Sequence, residues 1–77
     1  MTASLHEEVV LTRDFPSEGL KNGDLGTVVH VYEAGGYEVE FFTALGKTRA
    51  VLTLAEADVR EVADGEMVAV RRLDPTG

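Results

Sequence analysis

The sequence predicts an all-β fold, a small barrel or sandwich of short antiparallel strands. Runs rich in Val, Leu, Phe, Tyr and Thr recur about every 8 to 12 residues, and turns that carry glycine separate them. The chain has 77 residues, of which 44% are hydrophobic and 27% charged, so it has enough apolar material for one core and no more. We therefore expect a single domain over residues 1–77, with its core in residues 8–73 and loose termini.

Five to six strands fit this pattern. The third run, residues 37–42, alternates apolar and acidic residues, so Tyr37 and Phe41 should face the core while Glu38 and Glu40 meet water. The predicted strands are residues 8–13, 27–32, 37–42, 48–54, 59–62 and 66–73.

The connections contain almost no helix. The long loop at residues 14–26 holds three glycines and a proline, which excludes a helix and favours positive φ at Gly19, Gly23 or Gly26. Residues 54–58 are the only stretch with helical character, and they are too few for more than one turn, of the 3-10 type. The fold should therefore contain at most one 3-10 turn, and the tail after Leu73 should fray at Pro75.

The sequence argues against several kinds of functional site and subcellular location. Because the chain has no cysteine, it has no disulfide, no thiolate metal site and no cysteine nucleophile. Residues 1–8 lack the basic and apolar regions of a secretory leader, and no apolar run approaches the roughly 18 residues of a membrane span. We expect a cytoplasmic protein with no membrane association.

A strong acidic balance limits the partners of the chain. Fourteen acidic residues against seven basic ones give a formal net charge of −7, which repels nucleic acid phosphates and anionic lipid headgroups. The charge argues against these two classes of partner.

One loop and the strand after it resemble a known motif. Residues 20–32 run from Leu-Lys-Asn-Gly-Asp-Leu-Gly into Thr-Val-Val-His-Val-Tyr, and they are similar to the loop-and-strand segment of KOW motifs and other SH3-like barrels. With the strand before them and the Tyr-Glu-Val-Glu-Phe and Asp-Val-Arg-Glu-Val segments after them, residues 8–62 resemble a bacterial family of small uncharacterised proteins, domain-of-unknown-function family 4926. The resemblance implies a small SH3-like barrel and an accessory or regulatory role, and it transfers no catalytic residue. Residues 63–77 run past the usual end of that pattern and add the last predicted strand.

The KOW-like loop lacks the basic residues that nucleic acid binding needs. Asp14, Glu18 and Asp24 stand against Lys21 alone, a local net charge of −2. Since the affinity for nucleic acid grows with the number of phosphates neutralised, we interpret this loop as a structural turn. Arg71 and its neighbour at position 72 should point to opposite faces of a strand, as solvated charges.

No arrangement of residues predicts catalysis or a cofactor. His6, Glu7, Glu8 and His30 are the only residues that suggest a metal or acid/base site, and they show no recurring ligand spacing. Neither serine sits in a nucleophile elbow, and the glycines form no phosphate-binding loop. We expect a protein that is not an enzyme and binds no metal or cofactor.

Acidic residues and a few apolar ones form the candidate binding site. Residues 54–66 hold five acids against one arginine, a local net charge of −4, and more acids flank the first hairpin. These charges either keep the protein soluble or steer a basic protein partner, which would also need apolar anchors. Phe42 falls on the face of Glu38 and Glu40 if the alternation continues, or in the core if a bulge intervenes. The candidate partner-binding residues are Phe15, Leu20, Glu38, Glu40, Phe42, Leu45, Glu56, Asp58 and Glu61.

These features favour a non-enzymatic module that binds another protein, plausibly a basic one, as an antitoxin-like, inhibitory or accessory protein. Two alternatives remain at this point. One is a KOW-like nucleic-acid-binding module, and the other is a structural protein that self-associates through exposed edge strands.

Overall fold

The computed structural model describes residues 3–73 and is all-β. Five antiparallel strands form one sheet, as the sequence predicts, and two 3-10 turns interrupt the connections. The strands are β1 (Glu8–Leu11), β2 (Leu25–Val31), β3 (Tyr37–Phe42), β4 (Thr48–Leu54) and β5 (Val59–Glu61).

The sheet has the order β4-β3-β2-β1-β5, so β4 and β5 are its two edges. Two shifts of register interrupt the ladders, one in β2 between Val28 and His30 and one between Phe41 and Phe42 where β3 meets β4. Such irregularities bend a strand and increase its local twist. The short β5 pairs with the edge of β1 that β2 leaves free.

The core lies on one face of the sheet, and β3 shows the predicted alternation. Tyr37, Val39 and Phe41 are buried, whereas Glu38 and Glu40 lie on the other face. The other buried apolar residues of the core come from four strands, the first loop and the N-terminal segment, and they include Ala3, Val9, Leu11, Leu20, Val28, Leu54 and Val59.

The long first loop contains a 3-10 turn at Pro16–Glu18, and a second such turn follows β4 at Glu56–Asp58. The prediction of at most one 3-10 turn is therefore wrong. Pro16 favours the first turn because its ring presets the helical φ and its missing N–H would have no partner there. Gly19, with φ of 71°, ends the turn in the left-handed conformation.

The two ends of this loop are tied together. Phe15 and Leu20 exchange backbone hydrogen bonds of 2.9 and 3.2 Å around the 3-10 turn. Gly23 has the predicted positive φ of 94°, in a turn where the Asp24 carboxylate accepts the backbone N–H of Lys21 at 2.7 Å. The turn at residues 21–24 is thus held by the carboxylate of one of its own residues.

Gly26 does not have the positive φ proposed for it, because it lies inside β2, which begins two residues earlier than predicted. A Cβ atom here would lie 2.6 Å from Cγ1 of Val39 and 2.8 Å from Cε2 of Phe41. Close packing of β2 on these side chains therefore requires glycine.

The predicted last strand at residues 66–73 is wrong, since residues 62–73 contain no strand. The shorter β5 already occupies the free edge of β1, and this segment does not add to either outer edge of the sheet, β4 or β5. The expected fraying at Pro75 falls outside the described residues.

Candidate protein-binding surface

Two carboxylates project side by side from the middle of the sheet, on the face opposite the core. Glu38 accepts a hydrogen bond from the hydroxyl of Thr53, and Glu40 accepts one of 2.6 Å from the hydroxyl of Thr48. Both threonines lie on the edge strand β4. No lysine or arginine in residues 3–73 forms an ion pair with either carboxylate.

His30 of β2 and Tyr32, just after the end of that strand, extend this surface. His30 pairs in register with Glu38, and its ring meets that of Tyr32 edge to face, with centroids 4.6 Å apart. Partial desolvation raises the pKa of Tyr32, and the neighbouring Glu38 carboxylate raises it further. Val51, which lies opposite Glu40 on β4, is half exposed. We call these residues the outer face: His30, Tyr32, Glu38, Glu40, Thr48, Val51 and Thr53.

The apolar anchors predicted in the first loop are not available to a partner. Leu20 is only 4% exposed and belongs to the core, because the loop turns back on itself between residues 15 and 20. Phe15 is half buried against the core, and the Arg13 guanidinium covers its ring at 4.0 Å.

The anchors predicted at the second hairpin are exposed. Leu45 is 98% exposed at the tip between β3 and β4. Phe42 is exposed rather than buried in the core, although the register shifts just before it. Phe42 pairs in register with Thr48 of the outer face, and Leu45 lies at the hairpin tip beyond it.

Asp58, one of the acidic residues after β4, is engaged within the fold. Asp58 pairs with Arg13 at 2.9 Å and accepts the backbone N–H of Ala55 at 3.0 Å, so it stabilises the second 3-10 turn. Burial raises the pKa of Asp58, but its hydrogen bonds outweigh that effect and hold the pKa below its usual range.

Glu56 and Glu61 lie in different parts of the fold. Glu56 lies 3.5 Å from the hydroxyl of the buried Tyr37. Glu61 lies on β5, at the edge of the sheet away from β4. Residues 56–61 are close in the sequence, but their carboxylates have different surroundings: Glu56 lines a groove together with Thr53 of the outer face, whereas Asp58 pairs with Arg13.

A groove of about 620 Å³ lies between the β3–β4 hairpin, the first loop and the C-terminal segment. Arg49, Arg71 and Arg72 line it together with the carboxylate of Asp24. The sequence did not reveal this clustering, because the arginines are 22 positions apart and the C-terminal pair looked like solvated charges.

Arg71 is in fact a structural residue. Its guanidinium forms two hydrogen bonds, of 2.9 and 2.5 Å, with the carboxylate of Asp24 and a third, of 3.2 Å, with the carbonyl of Gly19. Burial raises the pKa of Asp24, but the bonds from Arg71 and from the Lys21 N–H reverse the direction and lower it.

The described residues offer no grouping typical of metal centres or membrane spans. Within residues 3–73, no three His, Cys, Asp or Glu side chains lie close enough together to hold a metal ion. The same stretch contains no helix of the length and apolar character needed to cross a membrane.

Comparison with known proteins returns one family. No curated protein and no solved structure matches the chain. A family described as a domain of unknown function (DUF4926) matches residues 5–61, which is 57 of the 77 residues and covers all five strands. The chain therefore belongs to the DUF4926 family.

Proposed function

We propose that the protein is a non-catalytic module that binds a basic protein partner through the outer face, in an antitoxin-like, inhibitory or accessory role. The observation that carries this proposal is the adjacent pair of carboxylates, Glu38 and Glu40, held by threonine hydroxyls and without a cation of their own in the described part of the chain.

The hydroxyl bonds orient the two carboxylates before a partner arrives. Thr48 and Thr53 point their hydroxyls at Glu40 and Glu38, so fewer rotamers are lost when a lysine or arginine of the partner binds. The net charge of −7 adds a long-range attraction, which raises the association rate of a basic partner more than it raises affinity.

The rest of the outer face supplies contact area. Tyr32 and His30 flank the carboxylates on one side, and Val51 flanks them on the other. Tyrosine is enriched among the residues that dominate binding energy in protein interfaces. This surface replaces the buried Leu20 as the source of anchors.

We also propose that the sheet closes as an SH3-like barrel in a cytoplasmic, bacterial protein. The strand order, with β1 between β2 and β5, and the two shifts of register support the closure. The chain has no cysteine, which is consistent with a reducing compartment.

Affinity capture from the native cell, at low and high salt, tests the proposed function. The intact chain should retain a basic protein at low salt and lose much of it at high salt. The double variant Glu38→Gln with Glu40→Gln should retain at least about tenfold less, since two charge-assisted contacts are removed.

A matched control removes two charges elsewhere. Glu18→Gln with Asp64→Asn changes the net charge equally but leaves the outer face intact, so capture should persist. Equal losses in both double variants would show a nonspecific charge effect and contradict the proposed surface. Submicromolar binding of labelled RNA or duplex DNA with a steep salt dependence would instead favour the nucleic-acid-binding alternative.

A further inference from the structure

The C-terminal segment 66–72 exposes several large apolar side chains to solvent. Met67, Val68 and Val70 are 91%, 78% and 84% exposed. Their spacing resembles a strand, yet the segment pairs with neither edge strand of the sheet. Contiguous apolar side chains in water are typical of an interaction surface.

The backbone of this segment also has no partner strand among residues 3–73. Residues 66–73 run without a turn or bend, and within the described chain residues 67–73 form no backbone–backbone hydrogen bond. A row of free N–H and C=O groups is a template for the addition of another strand.

Ion pairs hold the segment near both ends. Glu66 accepts two hydrogen bonds from Arg60, of 2.9 and 2.7 Å, and one of 2.6 Å from the backbone N–H of Ala63. Arg71 is anchored to Asp24 on the first loop. Because the ends are fixed, little conformational entropy remains to be lost when a partner strand binds.

The sequence of the segment is complementary to itself in the antiparallel direction. It reads Glu-Met-Val-Ala-Val-Arg-Arg, with Ala69 at its centre. A two-fold axis at Ala69 places Val68 opposite Val70 of a second copy and Glu66 opposite Arg72 of that copy. Apolar and oppositely charged pairs across two strands are stabilising, whereas the parallel arrangement in the same register would place each charge opposite its like.

We propose that two copies of this chain form a dimer by antiparallel pairing of residues 66–72 around a two-fold axis at Ala69. The contact is isologous, since each copy contributes the same residues. A single pair of short strands buries less surface than a permanent dimer needs, so we expect a concentration-dependent equilibrium. The proposal does not depend on a basic partner, and it leaves the outer face free.

Sedimentation equilibrium of the full chain over a concentration series tests the dimer. The double variant Val68→Asn with Val70→Asn should weaken dimerisation at least about tenfold. Val51→Asn, on the exposed edge strand β4, should leave it unchanged. Arg72→Glu should also weaken the dimer, while Lys47→Glu, an equal charge change on the hairpin, should not.

Single cysteines test the register, because the natural chain has none. Opposed residues of antiparallel strands have Cα atoms about 4.5 to 5.5 Å apart, within reach of a disulfide. Ala69→Cys should therefore cross-link to itself on mild oxidation, and a mixture of Val68→Cys and Val70→Cys chains should cross-link faster than either alone.

Three results would overturn the proposal. The first is a monomer at every concentration. The second is a dimer that is lost on Val51→Asn but persists in the double variant Val68→Asn with Val70→Asn. The third is that Ala69→Cys cross-links no faster than Leu45→Cys at the exposed hairpin tip. Circular dichroism of each variant confirms that the sheet, to which residues 66–72 do not contribute, remains folded.

Discussion

At the scale of single residues, Gly26 shows how closely β2 packs on the core. A Cβ atom added to Gly26 would lie 2.6 Å from the side chain of Val39, 2.8 Å from that of Phe41 and 3.0 Å from the carbonyl oxygen of Glu40. Contacts this short with two buried side chains and a backbone atom require the strands to move.

We expect Gly26→Ala to destabilise the protein by about 1 to 3 kcal/mol, the range for overpacked cores, despite the higher strand propensity of alanine. The free energy of unfolding in urea measures this cost. In a Val39→Ala background the nearest methyl group is gone, so the added cost of Gly26→Ala should shrink. Equal costs in both backgrounds would contradict steric overlap as the cause.

Tyr37 combines burial with a polar role. Its ring lies in the core, while its hydroxyl accepts a hydrogen bond of 2.9 Å from the backbone N–H of Ala3 and lies 3.5 Å from Glu56. One side chain thus connects the N-terminal segment with the turn after β4. The alternation of β3 predicts that Tyr37 points inward, but not which groups its hydroxyl meets.

At the scale of elements, the first loop and the C-terminal segment depend on each other. Asp24 caps the turn of the loop through the Lys21 N–H and binds the guanidinium of Arg71. A loop carboxylate and an arginine 47 positions away in the sequence therefore fasten the segment to the body of the protein.

Asp24 should make this attachment sensitive to acid. Since the folded-state pKa of Asp24 is lowered from its ordinary value of 3.8, its contribution is present above that value and is lost as the pH falls through the folded pKa. We expect the free energy of unfolding to decline below about pH 4, with about 1 kcal/mol of the decline due to this partly exposed pair.

Asp24→Asn should reduce that decline, as measured by urea unfolding between pH 2 and pH 7. Part of the decline will remain, because hydrogen bonds also lower the pKa of Asp58, and those from Arg60 and Ala63 lower that of Glu66 to about 2. Asp64→Asn, in the exposed turn before Glu66, serves as control and should retain the full decline. Identical pH profiles for Asp24→Asn and the unsubstituted chain would contradict this role.

At the scale of the whole molecule, the acidic surplus opposes folding while it favours a basic partner. Three Arg–carboxylate pairs form in the described chain, but acidic residues outnumber basic ones by seven in the whole sequence. The remaining carboxylates repel one another more in the compact state than in the unfolded one.

Salt should therefore stabilise the protein by screening this repulsion. Between low salt and 0.5 M NaCl we expect a gain of about 1 kcal/mol, equivalent to roughly 4 to 8 °C in Tm for a domain of this size. Glu38→Gln with Glu40→Gln should reduce the gain, because two adjacent charges are gone. Differential scanning calorimetry measures the change in Tm. A Tm that falls as salt is added would show that attractive ion pairs dominate over repulsion, and would contradict this prediction.

The outer face was partly predictable from the sequence. The alternation within β3 indicates that Glu38 and Glu40 share a face, because side chains on a strand project in alternating directions. Their neighbour Val51 comes from β4, and Tyr32 lies just after the end of β2. Which residues stand opposite each other depends on the register, and the bulge near Val28 shifts that register by one.

The sequence alone determined the all-β class, the approximate positions of five strands, the inward face of β3 and the acidic balance, because these follow from local spacing and composition. Only the tertiary structure decided that Leu20 is buried, that Arg71 binds Asp24 and that residues 66–73 stay outside the sheet. These outcomes depend on contacts between distant parts of the chain, above all on β5 occupying the last free edge of β1. The apolar residues that predict a sixth strand therefore remain exposed, and in the proposed dimer the same segment of a second copy pairs with them.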